Sequence, residues 1–251
     1  MGARTFRDRP PHRPAPPSAA IYPPREDTFL LLPFARVPAG TRLLEIGTGN
    51  GLLALTAARA GARVVATDRN REALRELLRT ARAGGLPLEV VRTDLARGLG
   101  RFDRILVNPP YLPTPRGFED PDPPLRWALD GGPDGLRLTR RLLGAFPRHL
   151  RPGGAAYLLG SSLQDPAGTA RLLARWRRAG GRCRIVAHRE LPGERLTVRR
   201  LDRPARPRAG GRRRGRSRRR TAAPARGRPG GPAGGSSPGP DRRSRRARGA
   251  A

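Results

Sequence analysis

The stretch Arg42-Leu43-Leu44-Glu45-Ile46-Gly47-Thr48-Gly49-Asn50-Gly51 is a short apolar run carrying one acid, followed by three glycines at alternate positions. Residues 42–46 read as a buried strand running into a tight turn, and a helix follows from about Gly51 to Ala60. A dinucleotide fingerprint would need its third glycine three residues after Gly49, where Leu52 stands, and no Walker lysine follows. The loop therefore lets a ligand approach the backbone closely without being a pyrophosphate cradle. Taken alone, it also admits reading as a plain strand-to-helix turn.

Working outward, strands and helices alternate. Residues 63–67 form a second strand. Residues 71–83 place Ala73, Leu74, Leu77, Leu78 and Ala81 on one helical face with Glu72, Arg75, Glu76 and Arg79 opposite, and Gly84-Gly85 stops the helix. Further strands are predicted at 88–92, 104–107 and 155–159, the last after a turn at Arg151-Pro152-Gly153-Gly154. Helices are expected at about 136–150 and 167–179, with a proline-rich loop from the end of the fourth strand to about Asp134. Upstream, a short helix spans Phe29 to Phe34, with Asp27 or Thr28 available as N-cap and Pro33 ending or kinking it. Residues 182–188 and 195–201 read as a hairpin closed by Pro192 and Gly193. The expected fold is α/β: a doubly wound, mostly parallel seven-stranded sheet of Rossmann-like type with a C-terminal antiparallel hairpin. Ligands in such sheets sit beyond the carboxyl ends of the strands.

Those ends carry the polar residues. Asp68 closes the second strand and can accept two hydrogen bonds from ribose hydroxyls, while Asp94 after the third can accept one from an adenine amino group. Separately, each acid also suits a helix cap or a solvated loop. Together, Glu45, Asp68 and Asp94 at three consecutive strand ends suit a cationic adenosine ligand, S-adenosylmethionine, better than a phosphate. The fourth strand ends in Asn108-Pro109-Pro110-Tyr111. Proline lacks a donor and fixes its backbone angle, so this turn offers the Asn108 side-chain oxygen and the Pro109 carbonyl as two acceptors at one point. Two acceptors suit one NH2 group on an sp2 carbon, and holding both hydrogens frees the nitrogen lone pair for an electrophile. Tyr111 can lie on the planar face of the acceptor.

The charge is unevenly spread. Half of the formal net charge of +32 lies in residues 203–251, which hold 17 arginines and one acid. Residues 1–20, with five prolines, and the Arg/Gly/Pro-rich residues 203–251 are both expected to be disordered. Residues 21–202 keep 31 arginines and 18 acids and enough apolar residues for a core. No run approaches a membrane span and no apolar segment marks a signal peptide, so a cytoplasmic location and no membrane contact are expected. One cysteine, Cys183, rules out an internal disulfide framework and a multi-cysteine zinc site, and no metal is expected. His12, His149 and His188 fall outside the proposed site. Residues 127–135 read either as a lid over the acceptor or as a solvated connection.

The combination resembles the class I S-adenosylmethionine-dependent methyltransferases with an N-P-P-Y signature. More narrowly it is similar to the HemK-type release-factor glutamine methyltransferases, in the short branch that lacks the N-terminal helical domain. Besides the two loops above, the resemblance rests on residues 21–30, Thr93-Asp94-Leu95, residues 127–135 and Glu190-Leu191-Pro192-Gly193-Glu194-Arg195-Leu196. It implies Tyr22 and Thr28 near the cofactor, Glu45, Gly47 and Gly49 around its methionyl part, Asp68 on the ribose, and Asp94 with Leu95 at the adenine. Asn108 would touch both cofactor and acceptor, Pro109 would supply the second acceptor atom, and Pro110 and Tyr111 would complete the acceptor site. The implied catalytic residues are Asn108, Pro109 and Tyr111. Pro23 departs from the family, which commonly has Glu there.

The implied reaction is N5-methylation of the glutamine in a Gly-Gly-Gln motif of a peptide-chain release factor, with a small zinc-containing activator subunit as an implied partner. Because the turn is indifferent to what carries the NH2, an adenine-N6 or other RNA/DNA amino-methyltransferase is the alternative within enzymes. An alternative of another class is a nucleic-acid-binding protein acting through its basic tail, whose contact would be non-specific because it has no aromatic side chain to stack on bases.

Overall fold

The computed structural model describes residues 21–203; the expectations for residues 1–20 and for the tail beyond Arg203 lie outside the described residues. Seven strands form one sheet: β1 (Arg42–Ile46), β2 (Arg63–Asp68), β3 (Leu88–Arg92), β4 (Phe102–Val107), β5 (Leu150–Ser161), β6 (Arg182–Leu191) and β7 (Glu194–Asp202), in the order β3-β2-β1-β4-β5-β7-β6. β1 to β5 are mutually parallel, and β7 enters antiparallel between β5 and β6. The strand order reverses between β1 and β4. The carboxyl ends of these two neighbours, carrying the glycine loop and the N-P-P-Y turn, therefore face each other across the switch point, where such sheets hold ligands.

Among the described residues the helices are α1 (Glu26–Leu31), α2 (Leu52–Arg59), α3 (Arg71–Ala83), α4 (Pro123–Leu129), α5 (Arg137–His149) and α6 (Pro166–Arg178), and a 3-10 turn at Leu32–Ala35 follows α1. Alternation along the strands sends Leu43, Leu106, Tyr157 and Val198 to one face, where α1, α2 and α3 supply Leu31, Leu53, Ala57 and Leu77. Leu44, Ile105, Val107, Ala156 and Leu158 face the other side and pack on Leu142, Phe146 and Trp176 of α5 and α6. Both faces are covered, which is why the central strands read as continuous apolar runs. Phe146 and Trp176 meet edge to face at 6.4 Å, and Trp176 donates its indole N–H to the Arg182 carbonyl at 3.1 Å.

Three expectations are corrected. Arg151-Pro152-Gly153-Gly154 does not stop a helix before a separate strand: β5 already starts at Leu150, opposite Phe102, and resumes register at Ala155 opposite Arg104. The intervening residues bulge out, with Gly153 at φ +82, and are tied by a backbone bond from Arg203 to Gly154 at 2.9 Å. The loop expected from residue 108 to 134 contains α4. Pro123 and Pro124 occupy its first turn, where a missing N–H costs nothing, so prolines that read as loop signals here start a helix. Finally, α1 begins at Glu26 after the extended Arg25, with no side-chain cap; Asp27 and Thr28 lie inside it, buried.

Candidate active site

A cavity of 340 Å³ opens at the carboxyl rim, lined by the ends of β1, β2 and β4 together with α1 and α4. Gly47, Gly49 and Gly51 all have positive φ. A Cβ at Gly47 or Gly49 would meet nothing within 4 Å, so this backbone faces open space, whereas at Gly51 it would strike Leu77 of α3. The first glycine borders the cavity, the second is tied to Asp68, and the third lets two helices pack. Glu45 is buried and acts from beneath: Oε2 accepts from Thr48 Oγ1 at 2.7 Å and from Ala54 N at 2.9 Å. Burial pushes its carboxyl up to about 8, so at neutral pH it ties the loop to α2 without presenting a charge. Asp68 accepts from Gly49 N at 3.0 Å and from Asn70 N at 2.8 Å. A carboxylate has about four lone-pair positions, so this half-exposed group keeps acceptor capacity for a vicinal diol.

Asp94 and Leu95 line the same cavity. Asp94 is ion-paired with Arg141 of α5. Leu95 is the one non-glycine among the described residues with positive φ, +58, and its carbonyl accepts from Thr67 Oγ1 at 2.9 Å, which holds the strained turn at the wall. The charge pattern is thus less simple than three strand-end acids: one is neutralised by burial and one is paired with arginine. Tyr22 and Thr28 line the cavity as well. Asn50 ties Tyr22 to the glycine loop by donating to its carbonyl at 3.2 Å.

Across the switch point, Asn108, Pro109, Pro110 and Tyr111 all border the cavity. The side-chain oxygen of Asn108 is buried and accepts no hydrogen bond from the described residues. An acceptor left in that state is costly unless a ligand completes it, and this one borders a cavity. Tyr111 is 5% exposed and donates to Asp27 Oδ2 at 3.4 Å, binding the turn to α1. Sequence reading missed Asp27 as a site residue because an acid beside a helix start looks like a cap. It also missed Arg69, whose guanidinium lies 5.1 Å from the Trp127 ring. Arg69, just past β2, and Trp127 of α4 both border the cavity, and nothing in their spacing announces the contact.

One cavity thus brings together an open glycine backbone, a carboxylate at the end of β2, and a buried acceptor with no partner among the described residues. A doubly wound sheet with that rim, closed by an antiparallel hairpin, is the class I methyltransferase fold. The methyltransferase small domain family model matches residues 26–115. The chain is 34% identical over 180 residues to a Methanocaldococcus jannaschii protein named for N5-glutamine methyltransferase activity, covering 71% of this chain and 89% of that one. It is 40% identical over 174 residues to the release factor glutamine methyltransferase of Deinococcus radiodurans, covering 64% of this chain but 60% of the relative. Among solved structures, a chain of the E. cuniculi Mtq2–Trm112 complex, described as responsible for methylating the translation termination factor eRF1, superposes with a TM-score of 0.56 at 26% identity over 73% of this chain and 99% of that one. The chain belongs to the HemK-like family of protein N5-glutamine methyltransferases.

Proposed function

We propose that this protein methylates the N5 nitrogen of the glutamine in a Gly-Gly-Gln motif of a peptide-chain release factor, using S-adenosylmethionine. The observation that carries the reading is the buried Asn108 oxygen, without a partner among the described residues, at the cavity wall where β4 ends. The names and coverage of the archaeal and bacterial relatives support the acceptor. When bound, the cofactor supplies a methyl group on a sulfonium, which passes to the amide nitrogen as the carbon–sulfur bond breaks and the thioether departs.

The chain's part is alignment. Asn108 Oδ1 and the Pro109 carbonyl accept the two amide hydrogens, which disfavours delocalisation of the nitrogen lone pair and aims it at the methyl carbon. The proton leaves to water afterwards, so no strong base is required. Asp68 would accept from the ribose hydroxyls, the Gly47–Gly49 backbone would hold the methionyl part, and Asp94 and Leu95 would hold the adenine. Positioning of this kind is worth several kcal/mol of barrier. A small activator subunit is part of the proposal, supported by the two-protein complex among the structural neighbours; a zinc site in that subunit belongs to the proposal as well.

The test is transfer from labelled cofactor to three acceptors: a release factor, the same factor with its motif glutamine replaced, and single- or double-stranded nucleic acid. Label in the first alone is expected, and Asn108→Ala should lower kcat by roughly 10²-fold or more while S-adenosylhomocysteine still binds. Label in the nucleic acid would establish the amino-nucleobase reading instead, and near-wild-type transfer by Asn108→Ala would remove the acceptor role.

A further inference from the structure

Two acceptor atoms help only if they stand within a few tenths of an ångström of where the amide needs them. Proline fixes the shape of the N-P-P-Y turn, but its position on the sheet depends on what stands behind it. That support is the segment Asp130–Gly135. Gly131 donates to the Leu112 carbonyl at 2.9 Å and Thr114 donates to the Gly132 carbonyl at 2.8 Å. The approach is backbone to backbone: a Cβ at Gly131 would stand 2.8 Å from the Tyr111 carbonyl carbon, and one at Gly135 would overlap the Tyr111 oxygen. The segment is stiff in its own right. Asp130 accepts from Gly132 N at 2.7 Å and pairs with Arg137, and Asp134 accepts from Leu136 N at 3.1 Å and pairs with Arg140.

One side chain bolts this support to the sheet. Gln164, 4% exposed just past the end of β5, donates from Nε2 to the Gly135 carbonyl at 2.8 Å and accepts at Oε1 from Ser161 N at 3.1 Å. A neighbouring backbone bond from Asp165 to Asp134, 3.0 Å, lies beside it. Only a group with a donor and an acceptor on one rigid plane spans these two partners, which is the chemistry of a primary amide. We propose that Gln164 is a positioning residue for methyl transfer: it holds Gly135 against the Tyr111 carbonyl and so sets where Asn108 Oδ1 and the Pro109 carbonyl meet the acceptor. The inference rests on the acceptor role of that turn.

The test uses the full chain with whichever acceptor the wild type labels, so failure of the release-factor reading shows in the wild type and failure of this inference shows only in the variants. Gln164→Leu removes both bonds and also the longer one from Nε2 to Thr139 Oγ1 at 3.5 Å. Gln164→Glu keeps the acceptor for Ser161 and loses the donor to Gly135; its new charge lies beside the Arg199 guanidinium, which borders Gly160 together with Gln164 Oε1. Both variants should lower kcat by 10- to 100-fold, with the dissociation constant of S-adenosylhomocysteine within about threefold of wild type. Gln164→Glu should unfold at nearly the wild-type urea concentration and so separates positioning from stability even where the leucine variant folds poorly. A kcat for Gln164→Glu within twofold of wild type overturns the inference. So does a loss of cofactor affinity that matches the loss of rate.

Discussion

At Glu45 one carboxyl has exchanged charge for structure. Burial, with Asp68 adding a smaller push, raises it from 4.5 to about 8 against the opposing bonds from Thr48 and Ala54. Between those two values the folded chain keeps a proton that the unfolded chain has lost, so this residue's contribution to stability falls as pH rises from about 4.5 through 8 and is level above. Glu45→Gln keeps the shape and the neutral acceptor and should remove that slope. In urea melts at pH 5, 7 and 9 the variant should gain on wild type with rising pH by up to a few kcal/mol; parallel curves would show that Glu45 is ionised in the fold. The strand-end position of this acid was legible from its place before the glycines. Its neutrality was not, because the burial that raises it exists only once the glycine loop and the start of α2 have folded over the end of β1, where Thr48 and Ala54 donate to it.

Among the elements, the stretch from α4 to α5 divides in two. The sequence admits either a lid or a solvated connection over residues 127–135. The amides of Gly131, Gly135 and Arg137 are all bonded to backbone carbonyls, and those of Gly132 and Leu136 to the carboxylates of Asp130 and Asp134. By contrast, α4 spans seven residues and meets the β2 side of the cavity through the Arg69–Trp127 contact. Hydrogen exchange should therefore be at least about tenfold slower in residues 131–137 than in residues 117–126; equal rates would mean that the whole stretch opens as one flap. The amphipathic α3 was readable to its ends because its apolar face repeats with helical period, and Asn70 caps it by accepting from Glu72 N at 2.9 Å. The bulge in β5 was not, since a Pro-Gly-Gly run looks the same in a turn and in a strand that loops out and returns to register.

For the molecule as a whole, the charge divides the chain. Half of the +32 lies beyond Asp202, and among the described residues the cavity wall mixes Arg69, Arg126, Arg137 and Arg141 with Asp27, Asp68, Asp94 and Asp130. A protein ending at Arg203 keeps all seven strands and every site residue, so its kcat on a release factor should stay within about twofold of the full chain. Binding of the full chain to duplex DNA should fall steeply with salt, and the truncated chain should lose most of that affinity. A truncated chain that cannot methylate would make the basic segment part of the enzyme. No helix among the described residues is long and apolar enough to cross a membrane.

The alternation of apolar runs with glycine turns was enough to specify a doubly wound sheet and its hairpin. The Asn-Pro-Pro-Tyr run was enough to mark a rigid turn at the end of β4, because local chemistry and periodicity act over a few residues, and that turn borders the cavity. Tertiary structure alone placed Gly135 against Tyr111, Gln164 behind Gly135, Asp27 beneath Tyr111 and Arg69 opposite Trp127. Each of these pairs joins segments far apart along the chain or hinges on a close backbone approach, and such contacts leave no periodic trace; they exist only once the sheet has brought the strand ends to one rim.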